Sequence, residues 1–336
     1  MSKWKAGLLA ASLVVMAPVA KAEVPELNVA QQWGVSFLPM MIMQRDHLVE
    51  NHAKKAGIEN LKVNWSKVAG PSVMNDGLIS GSLHFAAQGA PSLITLWNKT
   101  RKNKNVQIKG VSAMTTYPLY LMSRNPAVKT VKDFTSKDKI AVPSVKISTQ
   151  AIMLQIAAAK AFGQDQYQKL DPLTVSLSHP DGLLAFMNNT AGVNAHFTSS
   201  PYYEEEAKMP DAHLVTTNYE ILGGPATAVV MTASSQFRDA NPKTYKAFLG
   251  GLKEAMEIIN KDKRAAAQAY LTIANDKRNT VDTIYAIISN KDYRYTLKPE
   301  KVLKTAQFMA KVGSVSQAPE KISDLFFPEI ADLGGD

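Results

Sequence analysis

From Glu26 onward the chain alternates short β-like runs with runs of helical period. "LNVAQQ" precedes a helix over 40–56, "LKVNWSKV" one over 72–78, and "LHFAAQ" one over 92–98. A strand, a helix and a second strand in this order form a βαβ unit. Such units have right-handed crossovers, build mainly parallel sheets, and place ligand sites at the carboxyl ends of their strands. The alternation therefore restricts the chain to an α/β fold, with mixed, mainly parallel sheets flanked by helices.

After "VQIKGVSAM" the pattern restarts with "YPLYLMS", a turn at "TVKDF", "KIAVP", a helix over Thr149–Phe162, "LTVSLS", a helix over 181–188, "VNAHFT" and "HLVTT". "GGPATAVVMTA" at 223–233 then leads into helices only, over 242–260, 263–274, 281–289 and 299–312. With 336 residues and 46% apolar content, the length suits about two domains. The order predicts two lobes, the second inserted in the first: 23–114 and 223–336 form lobe 1, and 115–222 forms lobe 2. Two crossings near 112–117 and 219–225 make a hinge, to which Gly223 and Gly224 would lend backbone freedom; a plain turn before a strand asks for the same glycines.

Residues 1–22 combine a basic start, "MSKWK", an uncharged apolar stretch, "AGLLAASLVVMAPVA", and small residues Ala20 and Ala22 at cleavage positions. They predict a cleaved secretory signal peptide, too short in its apolar part for the roughly 20 residues that span a bilayer. Cysteine is absent, which excludes disulfides, thiolate catalysis, Cys-based zinc sites and a lipid-modified cysteine anchor. The expectation is a free periplasmic protein. Lys3, Lys5 and Lys21 carry three of the nine net positive charges, leaving +6 for the rest. The basic run "KTRKNKN" at 99–105 has no interleaved aromatic residue, so it suits a solvated helix end and loop rather than a nucleic-acid surface.

Residues 141–155, "AVPSVKISTQAIMLQ", pass from a β-like run into an apolar helix through hydrogen-bonding side chains. With Ser148 as N-cap, Ile147 and Ile152 take hydrophobic-staple positions, so capping alone is a sufficient role for the serine. A cap nonetheless leaves free N–H groups and a positive dipole end. Lys146, Ser148, Thr149 and Gln150 could converge with them on a carboxylate, sulfonate or phosphate. A dipole end contributes about 0.3 to 2 kcal/mol, against roughly 8 for micromolar affinity, so other walls must take part. "QQWGVSFLP", with Trp33, Ser36 and Phe37, and "QGAPS", with Gly89, Ala90 and Pro91, also follow strands and open helices. A two-lobed fold would aim all three segments at one cleft. Trp33 also suits a core or rim position, and Gly89 with Pro91 a simple turn.

Catalytic signatures are lacking: no nucleophile elbow, phosphate loop, dinucleotide fingerprint or HExxH pair occurs. The six histidines are dispersed. His47 and His52 do not share a helix face, and His84, within a strand, suits a buried, hydrogen-bonded position. "YYEEEAK" at 202–208 reads as a charged helix face. Neither a metal nor a cofactor is expected.

"LNVAQQWG", "GSLHFAAQGAP" at 81–91 and "TVKDFTSKDKIAVP" at 130–143 resemble the periplasmic solute-binding proteins of nitrate, sulfonate and taurine-type ABC importers. The resemblance runs over about residues 27–271. It implies a type II periplasmic binding protein fold that closes on a small-molecule solute, acts as a monomer, and delivers to ABC permease subunits without chemistry. In aliphatic-sulfonate binders a serine-rich turn at this helix start holds the sulfonate, and "ISTQ" at 147–150 occupies that place; cap and cradle then coincide. "NAHFTSSPYY" at 194–203 resembles a family segment usually rich in tryptophan, with an aspartate before Pro-Tyr-Tyr. Here Ser200 replaces the aspartate and His196 a tryptophan, which disfavours amine-bearing, taurine-like solutes and favours an organic anion, a sulfonate or carboxylate. Thr116, Tyr117, His196, Thr198, Ser199 and Tyr202 complete the expected ligand contacts, with Gly223 and Gly224 at the hinge.

Two alternatives remain open from sequence. One is a receptor for a neutral or cationic heterocycle, such as a thiamine-pyrimidine precursor, stacked on Trp33, Phe37 and Tyr117; the enzymatic branch of that fold depends on cysteine and histidine clusters this chain lacks. The other is an exported hydrolase using Ser148 or His196.

Overall fold

A computed structural model describes residues 23–103 and 106–335; the expected signal peptide lies outside them. The chain begins with β1 (Glu26–Gln31), α1 (Leu38–Arg45), α2 (Leu48–Lys55), β2 (Lys62–Lys67), α3 (Pro71–Ser80), β3 (Phe85–Gly89), α4 (Ala90–Thr100) and β4 (Ile108–Thr116). A second set follows: β5 (Tyr120–Ser123), β6 (Ile140–Val142), α5 (Thr149–Phe162), β7 (Thr174–Ser176), α6 (His179–Asn188), β8 (Ala195–Thr198), α7 (Tyr202–Glu206), β9 (His213–Thr217) and α8 (Asn218–Leu222). The return comprises β10 (Thr227–Ser234), α9 (Ser235–Ala240), α10 (Pro242–Lys261), α11 (Lys263–Ala274), α12 (Val281–Ser289), β11 (Arg294–Tyr295), α13 (Val302–Lys311) and α14 (Ile322–Leu325).

These strands form two sheets, ordered β11-β4-β10-β3-β1-β2 and β7-β6-β8-β5-β9. Pairs joined through a helix are parallel: β1 with β2 and β3, and β6 with β7 and β8. The strands beside the crossings are antiparallel: β10 with β3 and β4, and β5 with β8 and β9. Each sheet is therefore mixed, as the alternation predicts, and lies at the centre of one lobe.

The chain passes between sheets at residues 117–119 and returns at 223–226. β4 thus runs on to Thr116, past the 114/115 division drawn from sequence. Asn218 joins the crossings: its side-chain oxygen accepts from Leu119 N at 2.8 Å, and its own N–H donates to Leu119 O at 3.1 Å. On the return, Gly223 and Gly224 adopt φ of 76° and 128°, where a side chain would strain the backbone.

Three local expectations change. The helix expected over 40–56 is two helices, because α1 ends at Arg45 and His47 turns the chain in the left-handed region, φ 52°. β11 has two residues, too few to register as alternation. In the acidic run of α7, Glu206 is fully buried rather than on a solvated face. Lobe 1's core centres on Phe85 and Phe248, stacked 3.8 Å apart, with α10 burying Phe248, Leu252, Ala255 and Ile259 at helical spacing. Among the described residues no helix is long and apolar enough to cross a membrane.

Candidate functional site

The two lobes lie against each other. A Cβ built on Gly89, the last residue of β3, would stand 2.3 Å from Thr149 Oγ1 at the start of α5. One on Gly70, just before α3, would stand 2.4 Å from the Pro143 carbonyl oxygen after β6. Only glycine lets these lobe 1 segments approach lobe 2 so closely. Thr149 Oγ1 also donates across to the Ala228 carbonyl of β10, at 3.4 Å. These contacts enclose a cavity of about 20 Å3, room for about one water molecule. Its polar wall is Gln32, Ser148, Thr149, Gln150 and His179; Phe37, Tyr117 and Leu119 supply apolar surface.

The start of α5 forms this wall for a reason visible in its sequence. "TQAIMLQIAA" offers good helix formers and little polarity, so Thr149 to Ala158 are buried on all sides. Ser148 caps the helix: its Oγ accepts from Ala151 N at 3.3 Å and donates to Ser144 O at 2.8 Å. The N–H groups of Thr149 and Gln150 lie in the first turn, where a helix offers no internal acceptor, at the positive end of its dipole. Two neutral side chains and this helix end can donate to an anion, and no lysine or arginine is among the lining residues.

Several expected contacts lie elsewhere. Lys146 sits in the left-handed region, φ 61°, which swings its side chain outward; it is exposed, and its charge acts on Asp171 rather than on the cavity. Ala90 and Pro91 are buried in the first turn of α4, outside the lining. Thr116 ends β4, its hydroxyl 3.5 Å from that of Thr227. Gly223 and Gly224 belong to the return crossing. Ser36 and Ser199 hydroxyls flank the Tyr117 hydroxyl without a well-formed hydrogen bond, and burial holds Tyr117 neutral by pushing its pKa up to about 12. Trp33 and Tyr202 line a second, larger space of about 440 Å3 between the lobes. Lys67, Glu205, Asp276 and Arg278 give that crevice charge of both signs. The two spaces meet the same two segments, Gln32 to Gly34 and His179 to Pro180.

His196 is not at the surface of the cavity but behind it. Its Nδ1 is 2.6 Å from Glu206 Oε1, and its Nε2 is 3.2 Å from His179 Nδ1. His179 Nε2 in turn lies 3.1 Å from Gln150 Nε2. A line of three contacts thus runs from Glu206 to the cavity wall. All four residues are buried, His196 and Glu206 completely. Burial pushes the His196 imidazole down to about 3, holds His179 well below the ordinary imidazole value with the neighbouring His196 adding to it, and raises Glu206 well above the usual carboxylate range. Thr198 stands beside Glu206, and Tyr202 stacks on His179 at 5.7 Å. Sequence reasoning missed His179; its signal was a histidine at the first position of a helix that follows a strand, the pattern used for the other three segments.

No protein-family model matches the sequence, and no curated protein sequence matches it. Solved structures do. The alkanesulfonate-binding protein SsuA from Xanthomonas axonopodis pv. citri, solved bound to MOPS, matches with a TM-score of 0.68 at 17% identity, over 88% of this chain and 96% of its own. The periplasmic nitrate-binding protein NrtA from Synechocystis PCC 6803 matches with a TM-score of 0.65 at 14% identity, over 93% and 86%. A Candida albicans gene product described as having the generic periplasmic binding protein fold matches with a TM-score of 0.64 at 18% identity, over 93% and 96%. The chain has the periplasmic binding protein fold.

Proposed function

We propose that this chain is the substrate-binding component of an ABC importer, and that it captures a small organic anion, a sulfonate or carboxylate, between its lobes. The observation that carries this reading is the junction of α5 with the cleft: a capped helix start, with the free N–H groups of Thr149 and Gln150, in the wall of a cavity that both lobes enclose. A cavity of about 20 Å3 is too small for a whole solute, so the lobes would part to admit it and close over it. As the lobes stand, the space at α5 holds about one water molecule, so an anionic head would take its place there only with the lobes further apart, and the rest of the solute would extend toward the crevice beside Trp33. Closure excludes water, which strengthens each hydrogen bond to the anion. The closed shape is what permease subunits would recognise, and a signal peptide at 1–22 would deliver the protein, as a monomer, to the periplasm.

The hydrolase alternative loses support from the local geometry. Ser148 donates to a backbone carbonyl and His179 pairs with Gln150, so among the described residues no serine is hydrogen-bonded to a histidine as a nucleophile would be. A thermal-shift panel tests the anion reading. Methanesulfonate, longer alkanesulfonates and small carboxylates are expected to raise the melting temperature; a rise with pyrimidines and none with any anion would replace it with the heterocycle receptor.

A further inference from the structure

The three contacts between Glu206 and Gln150 allow only certain placements of their protons, and each placement decides which end of the Gln150 amide faces the cavity. A neutral imidazole donates from one nitrogen and accepts at the other, so the direction of one bond fixes the next. With the Gln150 amide nitrogen toward His179 Nε2, as at 3.1 Å, that ring nitrogen must accept. His179 Nδ1 then donates to His196 Nε2, and His196 Nδ1 donates to Glu206 Oε1. This order ends on Glu206 either as an ionised carboxylate, wholly buried, or as an acid whose proton sits on Oε2, a buried atom with no acceptor. Among the described residues no lysine or arginine pairs with it. An uncompensated buried charge is among the most costly arrangements a protein interior can hold.

A half-turn of the Gln150 amide reverses all three bonds. Its oxygen accepts from His179 Nε2–H, His179 Nδ1 accepts from His196 Nε2–H, and His196 Nδ1 accepts from the carboxylic acid of Glu206. The chain is then neutral. An ion pair between ionised Glu206 and doubly protonated His196 is also neutral and gives the same order at His179 and Gln150. The end of an amide group is assigned from its hydrogen bonds, since shape does not distinguish the two. The site is built for this line of groups: a Cβ on Gly182 of α6 would fall 2.7 Å from His196 Nε2, so glycine makes room for the ring. The groups are strung in line and form no metal cluster among the described residues.

We propose that Glu206, His196 and His179 are positioning residues that hold the Gln150 amide with its NH2 toward the cavity, so that Gln150 selects an acceptor-only, anionic head over one that bears donors. The selectivity rests on the anion-receptor reading above; the proton order does not. The raised carboxyl of Glu206 and the depressed imidazoles agree with the neutral chain.

The test is nitrogen-15 NMR of ligand-free protein labelled in histidine, near pH 7. The proposal expects His179 to carry its proton on Nε2; a proton on Nδ1 overturns it. This experiment needs no variant and no ligand. A second arm compares methanesulfonate with methanesulfonamide, an isostere that bears donors. Gln150→Glu, which turns an oxygen toward the cavity whichever way it rotates, should weaken methanesulfonate at least about tenfold and narrow its preference over the sulfonamide. Glu206→Gln, a neutral isostere, should keep methanesulfonate within about threefold. An unchanged preference in Gln150→Glu overturns the role given to the amide. If neither ligand binds the unaltered protein and His179 still carries its proton on Nε2, the anion reading fails and the proton order stands.

Discussion

Gly89 and Thr149 meet across the cleft so closely that a methyl carbon on the glycine would lie 2.3 Å from the threonine hydroxyl. The backbone at Gly89 has φ −65° and ψ 147°, which any residue can adopt, so its lack of a side chain serves the approach of the lobes and not a turn. Gly70 meets a less yielding neighbour, the Pro143 carbonyl at 2.4 Å, again from extended backbone.

Gly70→Ala and Gly89→Ala should therefore hold the lobes apart while each lobe stays folded. Small-angle scattering is expected to give a larger radius of gyration than the unaltered protein, with the melting temperature little changed and ligand affinity reduced at least about tenfold. A closed radius in both variants would show that these contacts do not set closure.

Ser148 and Thr149 are neighbours with separable roles. Ser148 caps α5, so Ser148→Ala should lower stability by about 1 kcal/mol in denaturant titration. Thr149 faces the cavity and the opposite lobe, so Thr149→Ala should weaken anion binding about tenfold, near 1.4 kcal/mol, with a smaller effect on stability. Equal losses of stability and affinity in both variants would reduce the α5 start to a structural cap.

Lys146 follows from its exposure. Lys146→Ala should leave anion affinity within about twofold at physiological ionic strength, because its charge is directed to Asp171 and screened by solvent. A tenfold loss by calorimetry would return the ammonium group to the binding site.

The buried histidines predict an acid response. Their folded pKa values lie below the unfolded value of about 6.5, so unfolding takes up protons, and the stability they confer is present above that pH and lost as pH falls toward about 3 for His196. Each adds a slope of about 1.4 kcal/mol per pH unit within that window. Glu206 acts in the opposite sense: its raised carboxyl contributes stability below about 4.5 that is lost as pH rises through its folded value. Imidazole resonances of His196 should not titrate between pH 8 and 4, and those of His179 should show a midpoint well below 6.5; a midpoint near 6.5 for either would place that ring in contact with water.

Much of the fold was legible because both periodicities recur. Period-2 runs gave the strands around each cleft segment, and the apolar run of 149–162 gave α5 with its cap. Residues 38–55 defeated the same method because α1 is apolar all round over Leu38 to Met43 and α2 continues the apolar pattern on one face, so nothing in the helical pattern marks the reversal at His47. The site divided along a similar line. Phe37, Gly89, Tyr117, Ser148, Thr149 and Gln150, singled out from sequence, share one cavity wall. Lys146 lies close to them along the chain, but a single left-handed residue sends its side chain to the surface. The link from Glu206 through His196 to His179 joins α7, β8 and α6 through tertiary packing alone, and spacing along the chain carries no trace of it.

The central claim is that the first turn of α5 receives the anion. Backbone amide NMR during titration with methanesulfonate tests it most directly. Saturable downfield shifts at Thr149 N–H and Gln150 N–H, with Gly89 and Ala228 responding as the lobes close, are predicted. Saturable shifts confined to the crevice residues around Trp33 and Arg278, with the α5 amides unmoved, would contradict it.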